Sequence, residues 1–349
     1  MPDLSSIPLV DHHAHGILRE QPTLDEFRGM FTESSDPRQR PHVPWGITYR
    51  RAMRELADLF GCEPTEEAVY DFRMTSDPAE YASRLLRATG TETLLVDDGF
   101  PPPGEGTSWD ELGELAGCEA QPVMRIERVA DEAGDDRIEA VRGEVATARE
   151  RGFAGLKTIA AYRGGLDFEA LKPSNSLLQG RVEGVAVAEV VVAALEANEA
   201  TGNPLPVQFH SGFGDQDLFL PRADPTYLKP LIEAFPDTPF VLLHCYPFVR
   251  EAGWLAHVYG NVFFDLSLTV HYVSRPAEAM REALELAPVS KLLYASDAAS
   301  TPELYYIAAR WWREALAEVL AECLPSDEAE QAGRMILRDN ARALYGLDT

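Results

Sequence analysis

Asp11-His12-His13-Ala14-His15 closes a short apolar run, residues 7–10, near the start of the chain. In an extended strand successive side chains alternate faces, so Asp11, His13 and His15 are expected on one side and Val10 and His12 on the other. Two imidazoles two residues apart on one face can hold a divalent cation through neutral ring nitrogens, and surplus nitrogen donors at a strand end have few other uses. His210 and His244 recur at the ends of other apolar runs, in Gln208-Phe209-His210-Ser211 and Leu243-His244-Cys245, and Asp297 follows a further one in Ala295-Ser296-Asp297. Metal-dependent hydrolysis is the chemistry such a set could carry. His12, on the opposite face, is expected to pack outward as a structural residue.

These donors need a scaffold that gathers strand ends. Beyond about residue 90, short β-branched runs alternate with amphipathic stretches. Strands are expected at 8–12, 93–97, 121–126, 154–159, 205–209, 240–244, 262–266 and 291–295. Helices are expected at 136–151, 184–199, 226–235, 276–286 and 303–323. Strict alternation implies a parallel sheet, and eight units imply a closed (β/α)8 TIM barrel with its chemistry at the carboxyl ends of the strands. Residues 19–85 interrupt the rhythm with Pro37, Pro41 and Pro44 and amphipathic stretches at 49–60 and 66–72. They are expected to form a helical insertion after strand one that caps the catalytic end of a single barrel spanning 1–349. Loops at 100–106 and 161–180 are expected at the same end, and a terminal helix over 327–345 at the other.

The balance of 57 acidic against 31 basic residues, a formal charge of −26, repels phosphate backbones and acidic headgroups. Nucleic acid and membrane partners are therefore not expected; a small-molecule substrate is. No basic segment followed by an apolar stretch opens the chain, and the four cysteines form no C-x-x-C pair, so a reducing, cytoplasmic setting is expected. The aromatic cluster Tyr305, Tyr306, Trp311 and Trp312 has helical spacing and reads as core or as a homo-oligomer contact.

The order His13-x-His15, Lys157, His210, His244, Asp297 resembles the amidohydrolase superfamily. One branch is closer still, through Gly155-Leu156-Lys157-Thr158-Ile159-Ala160-Ala161-Tyr162-Arg163, Leu95-Val96-Asp97-Asp98-Gly99 and Ala295-Ser296-Asp297 with Pro302-Glu303. That branch is the amidohydrolase-like domain fused to, or encoded beside, glutamine-synthetase-like proteins; these 349 residues are expected to hold the barrel without a synthetase domain. The resemblance implies one or two divalent ions, with Zn2+ favoured. His13 and His15 would take the more buried ion, and His210 and His244 would complete the site or hold a second. Asp297 would touch the metal, take a proton from the activated water and pass it to the leaving nitrogen, with His244 as a further catalytic group.

Lys157 stays open between two roles. In several superfamily members the equivalent lysine is N-carboxylated and bridges two metals; the alternative is an ammonium paired with Asp11 or Asp297, or gripping a substrate carboxylate. Substrate contacts are expected from Tyr162, Arg163, Gln208, His271 and Arg275. The implied reaction is hydrolysis of an amide C–N bond, with a γ-glutamyl amide made by a glutamine-synthetase-like partner as the suggested substrate. Non-oxidative decarboxylation and a catalytically silent regulatory barrel are the competing readings.

Overall fold

The computed structural model describes residues 1–102, 104–168 and 182–347. Eight parallel strands pair in sequence order: β1 (Leu9–Ala14), β2 (Thr91–Asp97), β3 (Glu119–Arg125), β4 (Gly155–Thr158), β5 (Val207–Ser211), β6 (Phe240–His244), β7 (Val262–Asp265) and β8 (Leu292–Leu293). With helices between them they form a nearly closed (β/α)8 TIM barrel. The strands read as continuous apolar runs because both faces are covered. Val241 and Leu243 point inward, joining Val10, Leu95, Val123 and Leu293, while Phe240 and Leu242 pack outward on the helices.

Strand eight is shorter than the expected 291–295. Its two residues leave the seam with β1 to be closed by individual bonds: His12 N donates to Tyr294 O, Asp297 N to His13 O at 2.9 Å, and His15 N to Ala298 O at 3.0 Å. The expected terminal helix is Ser326–Arg334 followed by a π-helical turn, Met335–Asp339, and Asn340–Tyr345. It plugs the bottom of the barrel with Ala341 and Tyr345. Of the loop expected at 161–180, residues 169–180 lie outside the described residues, as does Pro103 in the loop at 100–106.

The segment after β1 holds the helices Leu24–Gly29, Ile47–Phe60 and Glu66–Thr75 and a 3-10 stretch, Pro37–Trp45. The first is started by a Thr23/Glu26 capping box. Pro78–Ala88 then lays Ala82 and Leu86 against Leu94 and Val96 of β2. A buried ion pair ties the segment to the barrel. Arg73 Nη1 donates to both oxygens of Glu303, at 2.6 and 2.8 Å, and to Thr301 Oγ1 at 2.7 Å, and the Tyr81 hydroxyl donates to the same carboxylate at 2.7 Å.

Arg73→Met would strand the Glu303 carboxylate in the interior. Removing one partner of a buried pair costs about 3–5 kcal/mol, so a clear fall in melting temperature is expected. The Arg73→Met/Glu303→Gln double variant should lose less than the two singles summed. Additive losses would mean the pair does not anchor the segment.

Candidate active site

The pairing register explains how β1 presents its histidines. Asp11 pairs with Leu94 and Ala14 with Val96, so three residues of β1 advance against two of β2. One extra residue in a strand breaks the alternation of faces. His12 and His13 therefore both turn into the barrel, and Asp11 leaves their face to accept a bond from Ser296 N at 2.9 Å across the seam. The expectation that His12 packs outward and that Asp11 shares a face with His13 is overturned by this bulge. Burial pushes the Asp11 carboxyl up to about 7, and it makes no pair with Lys157.

Three donors converge at the mouth. His13 Nε2 and His15 Nε2 lie 3.0 and 3.2 Å from the same oxygen, Asp297 Oδ1, and the ligand atoms of the three residues all fall within 4.8 Å of one another. Asp297 is held there by its backbone bond to His13 O and by a left-handed conformation, φ +49°. Such a conformation costs about 1–3 kcal/mol in a non-glycine residue and recurs where geometry serves a site. Burial keeps the imidazoles neutral, with His13 pushed down to about 3, His244 to about 4 and His210 well below its ordinary value. Two imidazoles meeting one carboxylate oxygen at about 3 Å is the spacing of neighbouring ligands around a cation at about 2.1 Å. The buried Nδ1 atoms of His13 and His15 have no hydrogen-bond partner. The donor set fits a divalent metal.

His210 and His244 stand beside this group, their rings 4.5 Å apart. His210 Nε2 bonds Phe213 O at 3.1 Å, which leaves Nδ1 as the lone-pair nitrogen. Ser267 commits its hydroxyl proton to Asp265 Oδ1 at 2.7 Å and so accepts from His244 Nδ1, also at 2.7 Å. The Nε2 lone pair of His244 is thereby free, and Nδ1 lies 3.6 Å from Asp297 Oδ2. Asp265 also accepts from His244 N at 2.7 Å and meets His12 Nε2 at 3.0 Å. Below, the Tyr345 hydroxyl approaches His12 Nδ1 at 3.2 Å. Tyr345, His12, Asp265 and Ser267 thus form a buried column that orients His244.

His12→Ala is accordingly expected to cost both stability and activity. Losing a residue that orients a metal-site ligand typically costs 10–100-fold. A variant with normal turnover and a lowered melting temperature would restrict His12 to packing.

Lys157 Nζ lies 3.2 Å from His13 Nε2 and, among the described residues, has no carboxylate within 4.0 Å. Burial pushes it down to about 8. Asp97, at the end of β2, is gripped by Arg125 at 2.6 Å, with its Oδ2 4.0 Å from His15 Nδ1. Burial alone would raise the Asp97 carboxyl, but Arg125, His15 and Lys157 hold it below the usual range.

Above the cluster opens a cavity of about 1330 Å³, lined by His15, Lys157, His210, His244 and Asp297 with Tyr162, Arg163 and His271. Tyr162 packs on His210 with ring centroids 4.6 Å apart, an approach that Gly214 permits because a Cβ there would overlap the tyrosine hydroxyl. Gln208 and Arg275 are not brought to the cavity. Gln208 is fully buried one layer down, donating to His12 O and the Tyr345 hydroxyl, and Arg275 is exposed at the start of the helix Pro276–Leu284.

Sequence reasoning assigned no role to Asp97, Arg125, Asp265 or Ser267, although each closes or follows a strand and strand-end polarity could have flagged them. It also missed Glu33, Asp215 and Tyr272, which line the same cavity from three separate segments. The cavity's arginines are engaged: Arg19 with Glu111, Arg40 with Ser34 O at 2.7 Å, Arg125 with Asp97, and Arg163 with Asp131 at 3.4 Å.

Residues 116–347 match the protein family described as Amidohydrolase. Over an alignment of 397 positions the chain is 27% identical to Protein fluG of Emericella nidulans, an alignment that takes in 98% of this chain and 46% of that protein. The chain thus spans about half the length of this curated relative. Among solved structures, a Lactobacillus casei protein described provisionally as a metal-dependent hydrolase superposes with a TM-score of 0.86 at 28% identity, over 100% of this chain and 98% of that one. A uronate isomerase from Bacillus halodurans shares the fold at a TM-score of 0.68 and 14% identity, over 98% of this chain and 94% of that one.

Proposed function

Because the chain belongs to the amidohydrolase family, we propose that it is a metal-dependent hydrolase that opens an amide C–N bond of a small molecule at the His13/His15/Asp297 cluster. The convergence of two imidazoles on one oxygen of Asp297 carries this reading. When bound there, a divalent ion such as Zn2+ supplies Lewis acidity and can bring the pKa of a water ligand from 15.7 to about 7. Asp297 Oδ1 faces His13 and His15, so Oδ2 is the oxygen placed to hold the proton of the attacking water and return it to the leaving nitrogen. His244 stands beside that oxygen, its Nδ1 3.6 Å from Oδ2, with its ring held in place by Ser267. Tyr162 and Tyr272 wall the cavity and limit water around the reacting carbonyl. The segment at 19–85 caps this mouth as part of the same functional unit.

A second ion would sit between His210 and His244 with N-carboxylated Lys157 as the bridge. The support is a buried lysine with no carboxylate partner and a lowered pKa, which keeps part of the amine neutral and able to add to CO2 with loss of a proton. Lys157→Ala is then expected to bind one ion where the parent binds two, and short carboxylic acids should restore part of the activity. One ion in both proteins would refute the bridge and leave the hydrolase reading standing.

The likeness to Protein fluG and to the branch associated with glutamine-synthetase-like proteins supports a γ-glutamyl amide of a small amine as substrate, formed by such a partner. The four free cysteines, Cys62, Cys118, Cys245 and Cys323, suit a reducing compartment. The test is to load the protein with zinc and assay γ-glutamyl amides for release of glutamate and free amine, with and without a chelator. Chelator-sensitive release supports the reading. Release of CO2 without amide cleavage would replace it with decarboxylation, and full metal occupancy with no turnover would leave a silent barrel.

A further inference from the structure

Glu33, from the segment between β1 and the helix Ile47–Phe60, enters the cavity half-buried, beside Tyr272. Asp215, from the loop after β5, faces the same space; its charge is felt at Glu33, and the charges of both are felt at Tyr162. Neither has an ion-pair partner among the described residues. Of the arginines that line the cavity, Arg19, Arg125 and Arg163 are paired with Glu111, Asp97 and Asp131, and Arg40 is bonded to Ser34 O, so none of the four meets Glu33 or Asp215. A carboxylate drawn partly out of water without a counter-ion is costly unless a ligand supplies the charge.

An independent observation lies beside them. His271 is 4% exposed and lines the cavity, and neither of its ring nitrogens has a hydrogen-bond partner. Its ring stacks near Tyr272, centroids 4.7 Å apart. Buried polar nitrogens are nearly always paired, so this one lacks a partner that the chain does not provide. Burial keeps the ring neutral, pushed down to about 4, and a neutral imidazole can accept a hydrogen bond. A metal is a poor occupant, because His13, His15 and Asp297 form the one group of three potential metal donors among the described residues. An ammonium is a good one: its positive charge answers two carboxylates that have no ion-pair partner among the described residues, its N–H groups can donate to a neutral imidazole, it does not require the three groups to close to within 4.8 Å as metal ligands would, and the rings of Tyr162 and Tyr272 favour a cation.

We propose that Glu33, Asp215 and His271 form a subsite for an ammonium group of the substrate, so that the amide cleaved here carries a primary amine near its scissile carbonyl, an inference that rests on the hydrolase reading above. The subsite sets specificity by charge: hydrogen bonds to an ionised acceptor are worth enough to separate charged from uncharged substrates by roughly tenfold to a hundredfold.

Two matched substrate pairs test it on the zinc-loaded full chain: the γ-glutamyl amide of 1,4-diaminobutane against that of n-pentylamine, and the γ-glutamyl amide of n-pentylamine against its glutaryl counterpart, which lacks the α-ammonium. At least one pair should favour the ammonium-bearing member by about tenfold or more in kcat/KM. That ratio should fall toward unity in Glu33→Gln and in Asp215→Asn, each checked for zinc content and melting temperature. Equal kcat/KM within both pairs, or a ratio unchanged in both variants, would overturn the subsite while leaving the hydrolase intact. If no amide is cleaved, the hydrolase reading fails, and calorimetry with butylammonium, 1-butanol and butyrate decides the subsite separately. Binding of butylammonium alone, lost in Glu33→Gln, supports it; no binding, or binding indifferent to charge, refutes it.

Discussion

His13→Ala is expected to leave the protein folded but with bound metal far below one equivalent and turnover at background. The reason is the geometry of one point in space. His13 Nε2, His15 Nε2 and Asp297 Oδ1 converge there, and removing one imidazole leaves a donor pair that cannot hold an ion against water. Zinc binding worth about 10–16 kcal/mol over four ligands puts one ligand near ~3 kcal/mol, or roughly two orders of magnitude in affinity. His15→Ala should behave in the same way, and the double variant should retain none. Elemental analysis after gel filtration provides the check, with circular dichroism to establish that the barrel is intact. Full metal content in the double variant would remove the foundation of the metal-site assignment.

Asp297→Asn should retain metal and lose turnover by at least 10²–10⁴-fold, the usual worth of positioned acid–base assistance. Asparagine is the informative replacement at this position. It tolerates the left-handed backbone nearly as well as aspartate, so φ +49° is not disturbed. Its carbonyl oxygen can still face His13 and His15, but it cannot take a proton. Near-normal turnover would move the proton transfer to His244 or His271.

The same residue shapes stability in acid. Burial would raise the Asp297 carboxyl, yet His244 and the bonds from His13 and His15 hold it well below the usual range. A carboxylate with a depressed folded pKa stabilises the protein fully above the ordinary value of about 4 and loses that contribution as pH falls toward the folded one. The metal-free parent should therefore destabilise more steeply than Asp297→Asn below about pH 4. Parallel acid-unfolding curves would show that the carboxylate is not held as described.

Apolar period and strand-to-helix alternation were sufficient to read the barrel, because a strand buried on both faces must be apolar along its length, as in Phe240–His244. His13, His15, His210, His244, Lys157 and Asp297 could be singled out for a related reason: polar residues at the ends of such runs are costly unless they serve a site. Gln208 shows the limit of that logic. It also ends an apolar run, but its amide is spent on His12 O and Tyr345, a contact that spans 137 residues. Arg275 failed for the opposite reason, being followed by a helix that carries it outward to solvent.

Residue types and their spacing thus determined the architecture, the donors and the kind of chemistry, since each of these follows from local burial and side-chain valence. Tertiary structure alone decided which donors meet. His15 and Asp297 lie 282 residues apart in the chain and touch because an abbreviated β8 leaves its backbone free to zip against β1. The single extra residue in β1 could not be read from alternation, and it turned His12 from an outward residue into a member of the column that orients His244. Glu33 carries no local signal at all: a glutamate in an irregular, polar stretch becomes a cavity wall only once the segment that bears it has been docked over the barrel mouth, an event governed by packing and by the Arg73–Glu303 pair rather than by any pattern in its own neighbourhood.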